Sequence, residues 1–418
     1  MTNLFLHELR KIMSRPVTMG CLLGSLLCLI TLAIFLGVDY SRIDPNGLEI
    51  TGPKAIELAR KQGADIEGKL TIQRLLDVYE YNRSVHADTS NMIIDDNGNK
   101  VISSFAYGAY LQKHYEVMNL IRRVFSEVGE YNYYIVDRLS PADVKSFYDK
   151  RDQRIHQLLN MKTSSKGMDL NEIAYFLEQN AKVKIPFWFG YTGAWSEIIR
   201  RAFFTMFLLI ALCVCVGVAP VFASEFENNS ASVLLASRYG RTKAVWAKLI
   251  AAMAYTSLVF IIMAGVLSLS MFLSYGIDGY KTSFQVLSLF SIYNLNLLQV
   301  YVFALLIGYS VMLGLCALVS LISSFSRSSF SVIVVSLALF TLPTFLPASS
   351  ASEILNKFFS IFPIKAINVF NVFSMFKAYK LFDMYISLPV CIIACSLISV
   401  VFFLFGAYLI FSRRQVLN

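Results

Sequence analysis

The chain has 418 residues, of which 56% are hydrophobic and 14% aromatic, and its formal net charge is +9. Soluble domains contain roughly 45 to 50% apolar residues, so this composition indicates an integral membrane protein and excludes an ordinary soluble domain. The basic excess lies outside the long polar region that separates the first two apolar segments. We interpret it as a signal of membrane topology and as a surface for anionic lipid or a cytoplasmic partner, not for nucleic acid.

Residues 1–16 precede the first apolar segment and have an amphipathic pattern. Apolar residues fall on one helical face and charged residues largely on the other, with Leu6, Leu9 and Met13 facing away from Glu8, Lys11 and Arg15. This pattern predicts a helix that lies in the cytoplasmic membrane interface until Pro16 turns the chain into the membrane. A frayed basic terminus is the alternative.

Six segments are long and apolar enough to cross a hydrocarbon core, which takes roughly 17 to 25 helical residues. Helices are expected because backbone polar groups cannot stay unpaired in lipid. The apolar run of the first segment is longer than that of a signal peptide, so we predict a membrane anchor there. The predicted fold class is an all-α polytopic membrane protein. Spans 1 to 6 are predicted at residues 17–38, 202–222, 249–275, 297–325, 330–346 and 386–411, without any Asp, Glu, Lys, Arg or His.

The positions of Lys and Arg near the span ends predict the orientation, because loops rich in these residues stay in the cytoplasm. Arg200 and Arg201, beside span 2, are a weak signal for the opposite orientation. We predict a multi-pass protein of the cell membrane with both termini in the cytoplasm. Four basic clusters fall on one side of six spans: Arg10, Lys11 and Arg15; Arg238, Arg241, Lys243 and Lys248; Arg327; and Arg413 with Arg414.

Residues 39–201, between spans 1 and 2, have a soluble composition and enough length for one extracellular domain. The segment NMIIDDNGNKVISS predicts two short strands around an Asn-Gly turn. This region contains no cysteine, so a packed core must stabilise it instead of disulfides. We predict a mainly helical extracellular domain with a small β-hairpin. Helical periodicity is found in residues 53–83, 107–126, 141–160 and 169–181.

Shorter segments connect the remaining spans. Residues 276–296 are predicted to form an extracellular loop, residues 326–329 a cytoplasmic turn and residues 412–418 a cytoplasmic tail. Residues 347–385 are apolar and aromatic but carry lysines at intervals. We therefore predict interfacial or re-entrant helices on the extracellular side, broken near Pro363. A seventh span is the alternative.

Catalytic and metal-binding chemistry is not indicated. The stretch GADIEGKL resembles a phosphate-binding loop, but Leu70 stands where a Ser or Thr would hold magnesium. The four histidines lie outside the spans. We predict a non-enzymatic protein with no catalytic residue, no metal site and no cofactor of its own. Its spans suit a path for an amphiphilic solute, but they lack the ionisable groups that would couple transport to an ion gradient.

Residues 223–248, between spans 2 and 3, interrupt the apolar pattern with six charges. The apolar run Val233–Ala236 predicts a short amphipathic helix between Ser230 and Ser237. Acidic residues precede this helix and basic residues follow it, an arrangement that complements a helix dipole. An ordinary polar loop that obeys the positive-inside rule is the alternative.

The order of residues in this segment resembles the permeases of type 2 ABC exporters, particularly those of Gram-positive bacteria. After span 2 this family has an acidic residue, commonly a Gly-Thr pair, a Leu-rich short helix, an Arg and then a Lys that leads into span 3. Asn229 and Ser230 stand in place of the Gly-Thr pair. The layout of helices is also similar, apart from the large external domain. The matching residues are Glu225 and Glu227, Ser230, Leu234 and Leu235, Arg241 and Lys248.

The resemblance implies that the short helix is a coupling helix, which docks on a cytoplasmic ABC ATPase dimer that binds ATP and magnesium. It also implies a second permease chain, identical or homologous, and export of an amphiphilic substrate from a bacterial cell, such as an antimicrobial or signalling peptide, a drug or a lipid-like compound. The alternatives are a membrane-anchored peptide receptor or immunity protein and a scaffold for envelope enzymes. The implied ATPase-coupling residues are Glu225, Glu227, Ser230, Leu234, Leu235, Arg238, Arg241 and Lys248.

Overall fold

A computed structural model of the protein describes residues 2–166, 168–345 and 353–414, and these are mostly helical. The predicted all-α polytopic fold class is confirmed. Among the described residues, five apolar helices are long enough to cross a membrane. A sixth apolar helix, Ser329–Phe345, has 17 described residues. Position 346, the predicted end of span 5, lies outside the described residues. From here, the labels span 1 to span 6 denote the helices Pro16–Asp39, Gly193–Glu227, Lys243–Tyr275, Leu297–Phe325, Ser329–Phe345 and Leu388–Arg413.

Span 2 lies at the centre of the bundle, since 72% of its most apolar stretch is buried, against 17% for span 6. Its hydrogen-bond ladder breaks at Ala219, before Pro220. Ser323 of span 4 repairs this break, because its hydroxyl donates to the Ala219 carbonyl at 2.6 Å and accepts from the amides of Phe222 and Ala223 at 3.0 Å. The polar groups that proline frees therefore stay paired inside the bundle.

Residues 40–192 form a domain at one end of the bundle, which we call the domain side. Its antiparallel strand pairs are Ser41–Ile43 with Glu49–Thr51, Gly68–Lys69 with Trp188–Phe189, and Met92–Ile94 with Lys100–Ile102. The last pair is the predicted hairpin, and Gly98 in its turn has a φ of +80°, a conformation that favours glycine. The longer helices are Pro53–Asp65, Ile72–Ala87, Tyr115–Phe125, Phe147–Lys166 and Leu170–Ala181; shorter turns are Thr89–Asn91, Ser104–Ala106, Tyr107–Leu111, Gln112–His114, Tyr133–Arg138 and Pro141–Lys145.

The connection between spans 3 and 4, residues 276–296, packs into this domain. Val286, in the short turn Phe284–Val286, and Leu289 are buried in the same core as Leu75 and Ile121 of the domain helices. The predicted loop and the predicted domain therefore share one hydrophobic core.

The described part of the connection between spans 5 and 6, residues 353–387, contains three short helices and then a β-hairpin. The prediction of helices up to residue 385 is wrong for its last part, where the chain pairs as two strands. Ala378 of the first strand is buried in a small core with Phe176 and Ile292 of the domain side. These two residues are far from Ala378 in the sequence, so the local pattern of residues does not indicate this contact. The helices are Glu353–Ser360, Pro363–Ala366 and Val369–Ser374, and the strands are Ala378–Leu381 and Met384–Ser387.

The opposite end of the bundle, which we call the termini side, carries the N-terminal helix Thr2–Met13 and the short helix Ala231–Ala236. Leu9 and Met13 pack on the bundle core, as their shared face suggests, whereas Leu6 is 54% exposed. The short helix begins one residue later and ends one residue earlier than predicted.

Candidate functional site

A network of buried charges lies on the termini side, around Glu225 at the end of span 2. The Glu225 Oε1 atom is 2.8 Å from Lys248 Nζ and 2.7 Å from Lys11 Nζ, and Oε2 accepts a hydrogen bond from the Ser230 hydroxyl at 2.5 Å. Lys248 Nζ also lies 3.0 Å from Glu8 Oε2. The Lys248 side chain is 1% exposed and that of Glu225 is 9% exposed. This Glu225 network joins the N-terminal helix to spans 2 and 3.

The local sequence explains why the chain turns at this network. Asn229 has a left-handed φ of 55°, and the amide of Ser230 donates to the Glu225 carbonyl at 2.9 Å while the amide of Asn229 donates to the Phe226 carbonyl at 3.2 Å. These two bonds form a Schellman motif, in which Gly or Asn is favoured at the left-handed position. Asn229 can thus stand where a glycine is common, and the Ser230 hydroxyl reaches back to Glu225.

Glu227 links span 2 to span 5. Its Oε1 atom accepts from the Ser329 amide at 2.5 Å, and its Oε2 atom accepts from the Ser329 hydroxyl at 2.8 Å. Ser329 is the first residue of span 5, and a carboxylate is favourable at a helix N-terminus because the free amides there carry partial positive charge. Glu227 therefore caps the start of span 5.

Arg241 links the short helix to span 6. Its Nε atom donates to the Leu235 carbonyl at 3.1 Å and its Nη1 atom donates to the Ser412 carbonyl at 2.9 Å. Leu235 is buried and Leu234 packs against the bundle core. The guanidinium thus satisfies carbonyls near two helix C-termini, where a cation is favourable.

A family model described as ABC-2 family transporter protein matches residues 2–416. The chain belongs to this family. It is a permease, the membrane component of an ABC transporter, and this component is not itself catalytic. Comparisons with curated proteins and with solved structures give no match.

The outer face of the short helix in this ABC-2 permease is exposed. Val233 is 74% exposed and Tyr239 is 46% exposed. The Lys243 ammonium lies 4.3 Å, and the Arg238 guanidinium 5.3 Å, from the centre of the Tyr239 ring. An apolar side chain and a cationic aromatic cluster are therefore available to a partner on this surface, which we call the outer face.

The eight predicted coupling residues of the permease lie in two different places in the structure. Arg238 lies on the outer face, whereas the other seven hold the segment to the bundle. Lys248 and Leu235 are almost fully buried and cannot contact a partner directly in this conformation. The seven holding residues are Glu225, Ser230 and Lys248 in the network, Glu227 at span 5, Arg241 at span 6, and Leu234 and Leu235 against the core.

Sequence reasoning missed the contribution of the N-terminal helix to this site. Arg15 Nη2 donates to the Ser224 hydroxyl at 3.2 Å, beside the bonds of Glu8 and Lys11. Burial lowers the pKa of the Arg15 guanidinium, and the charges of Glu225 and two other glutamates oppose this effect. The signal was present in the sequence, because Glu8 and Lys11 share the polar face of this helix and Arg15 follows it directly before Pro16.

Proposed function

We propose that this permease belongs to an ATP-driven exporter that moves an amphiphilic substrate out of a bacterial cell. The termini side faces the cytoplasm, since the Lys and Arg clusters lie at that end of the spans. The domain side faces outward. Membership of the family supports transport by an ABC permease. The observation that carries the coupling mechanism is the Glu225 network, which lies beneath an exposed outer face.

Residues of the 223–248 segment contact several spans of the bundle. A displacement of this segment is therefore transmitted to several spans. Glu225 and Lys248 bind spans 2 and 3 to the N-terminal helix, Glu227 binds span 5, and Arg241 binds span 6. An ATPase dimer that holds ATP and magnesium docks on the outer face. It changes the conformation of the spans only if it binds one permease conformation more tightly than another.

The working unit contains a second permease chain, identical or homologous, because ABC ATPase domains act as a pair on a pair of permeases. The central parts of the spans carry no charged residue and contain many aromatic residues, which suits an antimicrobial or signalling peptide, a drug or a lipid-like compound. Charged solutes without an apolar part would have no partner along such a path.

Co-purification tests the docking surface. The double variant Val233→Asp with Arg238→Glu places acidic charge on the outer face, so the permease should still insert and melt normally but lose its ATPase partner. Ile94→Asp is the matched control, because Ile94 is equally exposed, at 74%, on the domain side. A stable complex of the purified chain with a peptide and without any ATPase would instead support the receptor or immunity function.

Transport measurements test the coupling residues. Glu225→Gln and Arg241→Gln remove a charge that holds the segment to the bundle, and both variants should remain in the membrane while ATP hydrolysis continues without export. Unchanged export in both variants would contradict the proposal.

A further inference from the structure

A cavity of about 260 Å³ lies where the domain meets the bundle. Its walls come from the segments that follow span 1 and precede span 2, from two helical segments of the domain, from the first two turns of span 2 and from the connection between spans 3 and 4. The volume is slightly below the roughly 300 to 1,000 Å³ of sites for drug-sized ligands. The cavity therefore suits a small ligand, and such a ligand would touch both the domain and the bundle.

Charges of both signs line this cavity. Arg42, Lys113 and Arg200 supply three cations. Glu116 and Glu197 supply two carboxylates. Arg200 interacts electrostatically with both carboxylates, yet no two of these five described residues form an ion pair with each other, and Glu197 lies 3.4 Å from an arginine that does not line the cavity. The charged groups of the wall are therefore not neutralised by one another.

Lys113 and Glu116 lack partners of their own. Neither side chain makes a hydrogen bond or an ion pair within the part of the chain that the structure describes. They are three positions apart, a spacing that places two side chains on the same face of a helical backbone. By contrast, the Arg42 guanidinium donates to the Tyr40 hydroxyl at 2.9 and 3.1 Å. A ligand that carries both a carboxylate and an ammonium would give Lys113 and Glu116 each a charged hydrogen-bond partner.

The walls of the cavity are held in place by the rest of the fold. The Gln112 side chain accepts from the Ile43 amide at 2.8 Å and donates to the Ile43 carbonyl at 2.9 Å, which ties the turn before Glu116 to the segment after span 1. Gly63 allows a domain helix to approach Tyr191, because a Cβ atom at this position would lie 2.7 Å from the Tyr191 Cβ atom. A site with walls held in this way loses less conformational entropy when a ligand binds.

The uncharged part of the lining indicates the class of zwitterion. The hydroxyls of Thr192 and Ser196 make no hydrogen bond with another described residue, so they can bind an amide or a carboxylate group. Ile66, Phe189 and Val286 place apolar atoms beside these polar groups. The described lining is mainly polar, whereas the acyl chains of a lipid need a long apolar wall. An amino acid or a short peptide therefore fits this cavity better than a zwitterionic lipid.

We propose that this cavity binds a small zwitterion of the amino-acid class, either a free α-amino acid or a peptide of two or three residues. Its carboxylate binds Lys113 and Arg42. Its ammonium binds Glu116 and Glu197. A ligand in this position joins the domain to the start of span 2. Calling the ligand an exported substrate rests on the function proposed above, whereas its binding does not.

Isothermal titration calorimetry of the purified full chain in detergent tests the site without any ATPase. The probes are alanine and dialanine, each with free ends, as the N-acetyl form, which lacks the ammonium, and as the amide form, which lacks the carboxylate. We expect at least one free probe to bind, and its two blocked forms to bind about tenfold more weakly. Tighter binding of alanine would assign the site to a free amino acid, and tighter binding of dialanine would assign it to a short peptide.

Two variants test the charged groups separately. Lys113→Gln should weaken binding of the free probe about tenfold but hardly change binding of the amide form, which has no carboxylate to lose contact with. Glu116→Gln should weaken binding of the free probe similarly but hardly change binding of the N-acetyl form. Lys54→Gln and Glu57→Gln are the matched controls, because these exposed residues have the same spacing on a neighbouring domain helix and do not line the cavity.

The melting temperature of each variant confirms folding, which neither substitution should disturb because neither side chain has a described contact to lose. Absence of binding by both free probes, equal binding of free and blocked forms, or no effect of either variant would overturn the proposal. Weaker binding of the amide form alone would show a simple anion site and also overturn it. Preferential binding of glycerophosphoethanolamine, the head group of a zwitterionic lipid, would assign the cavity to lipid and overturn it as well.

The titration result and the ATPase result are independent. Zwitterion binding by a chain that never co-purifies with an ATPase would refute the exporter function and leave this site standing. An ATPase complex without zwitterion binding would refute this site alone.

Discussion

At the scale of single residues, Lys248 is a buried charge whose stability depends on its partners. Its ammonium is removed from water, and burying a charge is unfavourable unless a partner of opposite charge compensates. Glu225 and Glu8 supply that compensation at 2.8 and 3.0 Å. Removing one partner of such a pair therefore costs more than removing the pair.

A double-mutant cycle checks this reasoning. Glu225→Gln should lower the free energy of unfolding by about 3 kcal/mol, because it leaves the buried ammonium with Glu8 alone. The double variant Glu225→Gln with Lys248→Met should cost clearly less than the sum of the single changes. Unfolding in detergent measures these differences, with Lys243→Met as a control at an exposed lysine of the same helix. Strict additivity would contradict the coupling.

His114 of the domain provides a test by pH. Burial lowers its pKa from 6.5 to about 4, with the nearby Lys113 and Arg74 charges adding to the effect, and its Nδ1 atom is buried without a hydrogen-bond partner among the described residues. Because the pKa is lower in the folded state, the unfolded state binds more protons between these values. The domain should therefore lose stability as the pH falls from about 6.5 to about 4.

Histidine NMR checks this directly, because the chain has only four histidines. The His114 resonance, assigned by its loss in His114→Gln, should titrate near pH 4. A midpoint at or above 6.5 would show that the ring is not desolvated.

At the scale of elements, the start of span 5 depends on span 2. The amide of Ser329, the first residue of span 5, is satisfied by the carboxylate of Glu227 from span 2. The first amides of a helix have no partner inside that helix, so such a cap helps to set where the helix begins.

Removing the cap should loosen the start of span 5. Glu227→Ala should lower stability by about 1 kcal/mol and increase hydrogen exchange of the amides in the first turn after Ser329. Glu227→Gln, which keeps an acceptor oxygen but not the charge, should have a smaller effect. If these amides exchanged at the same rate in the unsubstituted protein and in both Glu227 variants, the cap would contribute nothing to the start of span 5.

At the scale of the whole molecule, Arg151 joins the domain to the connections between the spans. It is 3% exposed, and it donates to the Leu289 carbonyl at 2.8 Å, the Ser291 carbonyl at 2.9 Å and the Asn180 side chain at 2.9 Å. Burial lowers its pKa to about 10, so it stays charged at neutral pH. The Ser291 hydroxyl in turn donates to the Phe373 carbonyl at 2.8 Å, which extends the link to the connection between spans 5 and 6.

Arg151→Gln should therefore loosen the assembly of these three regions. We expect a loss of about 3 kcal/mol or more, because two buried carbonyls lose a charged donor, and faster hydrogen exchange in residues 284–295 and 369–387. Arg154→Gln is the matched control, since Arg154 donates to Val124 and Phe125 within the domain. If Arg154→Gln also increased hydrogen exchange in residues 284–295 and 369–387, the link between these regions would not be specific to Arg151.

Several features of this fold could be predicted because they depend on neighbours in sequence. The spans follow from continuous apolar runs, and the hairpin around Gly98 follows from an Asn-Gly turn between two short β-prone runs. The short helix after span 2 follows from a local apolar run between charges. The hairpin Ala378–Ser387 could not be predicted in this way, because its first strand is stabilised by packing against Phe176 and Ile292.

The candidate site shows the same division. The sequence by itself determined that Glu225, Arg241 and Lys248 lie near the junction of two successive apolar segments, because apolar runs and the placement of charged residues depend only on local composition. Only the tertiary structure decided that Lys248 is buried against Glu8, a residue 240 positions away, and that Glu227 caps span 5. The physical reason is that a buried charge is stable only beside its partner, and the folded bundle, not the order of residues, brings the two together.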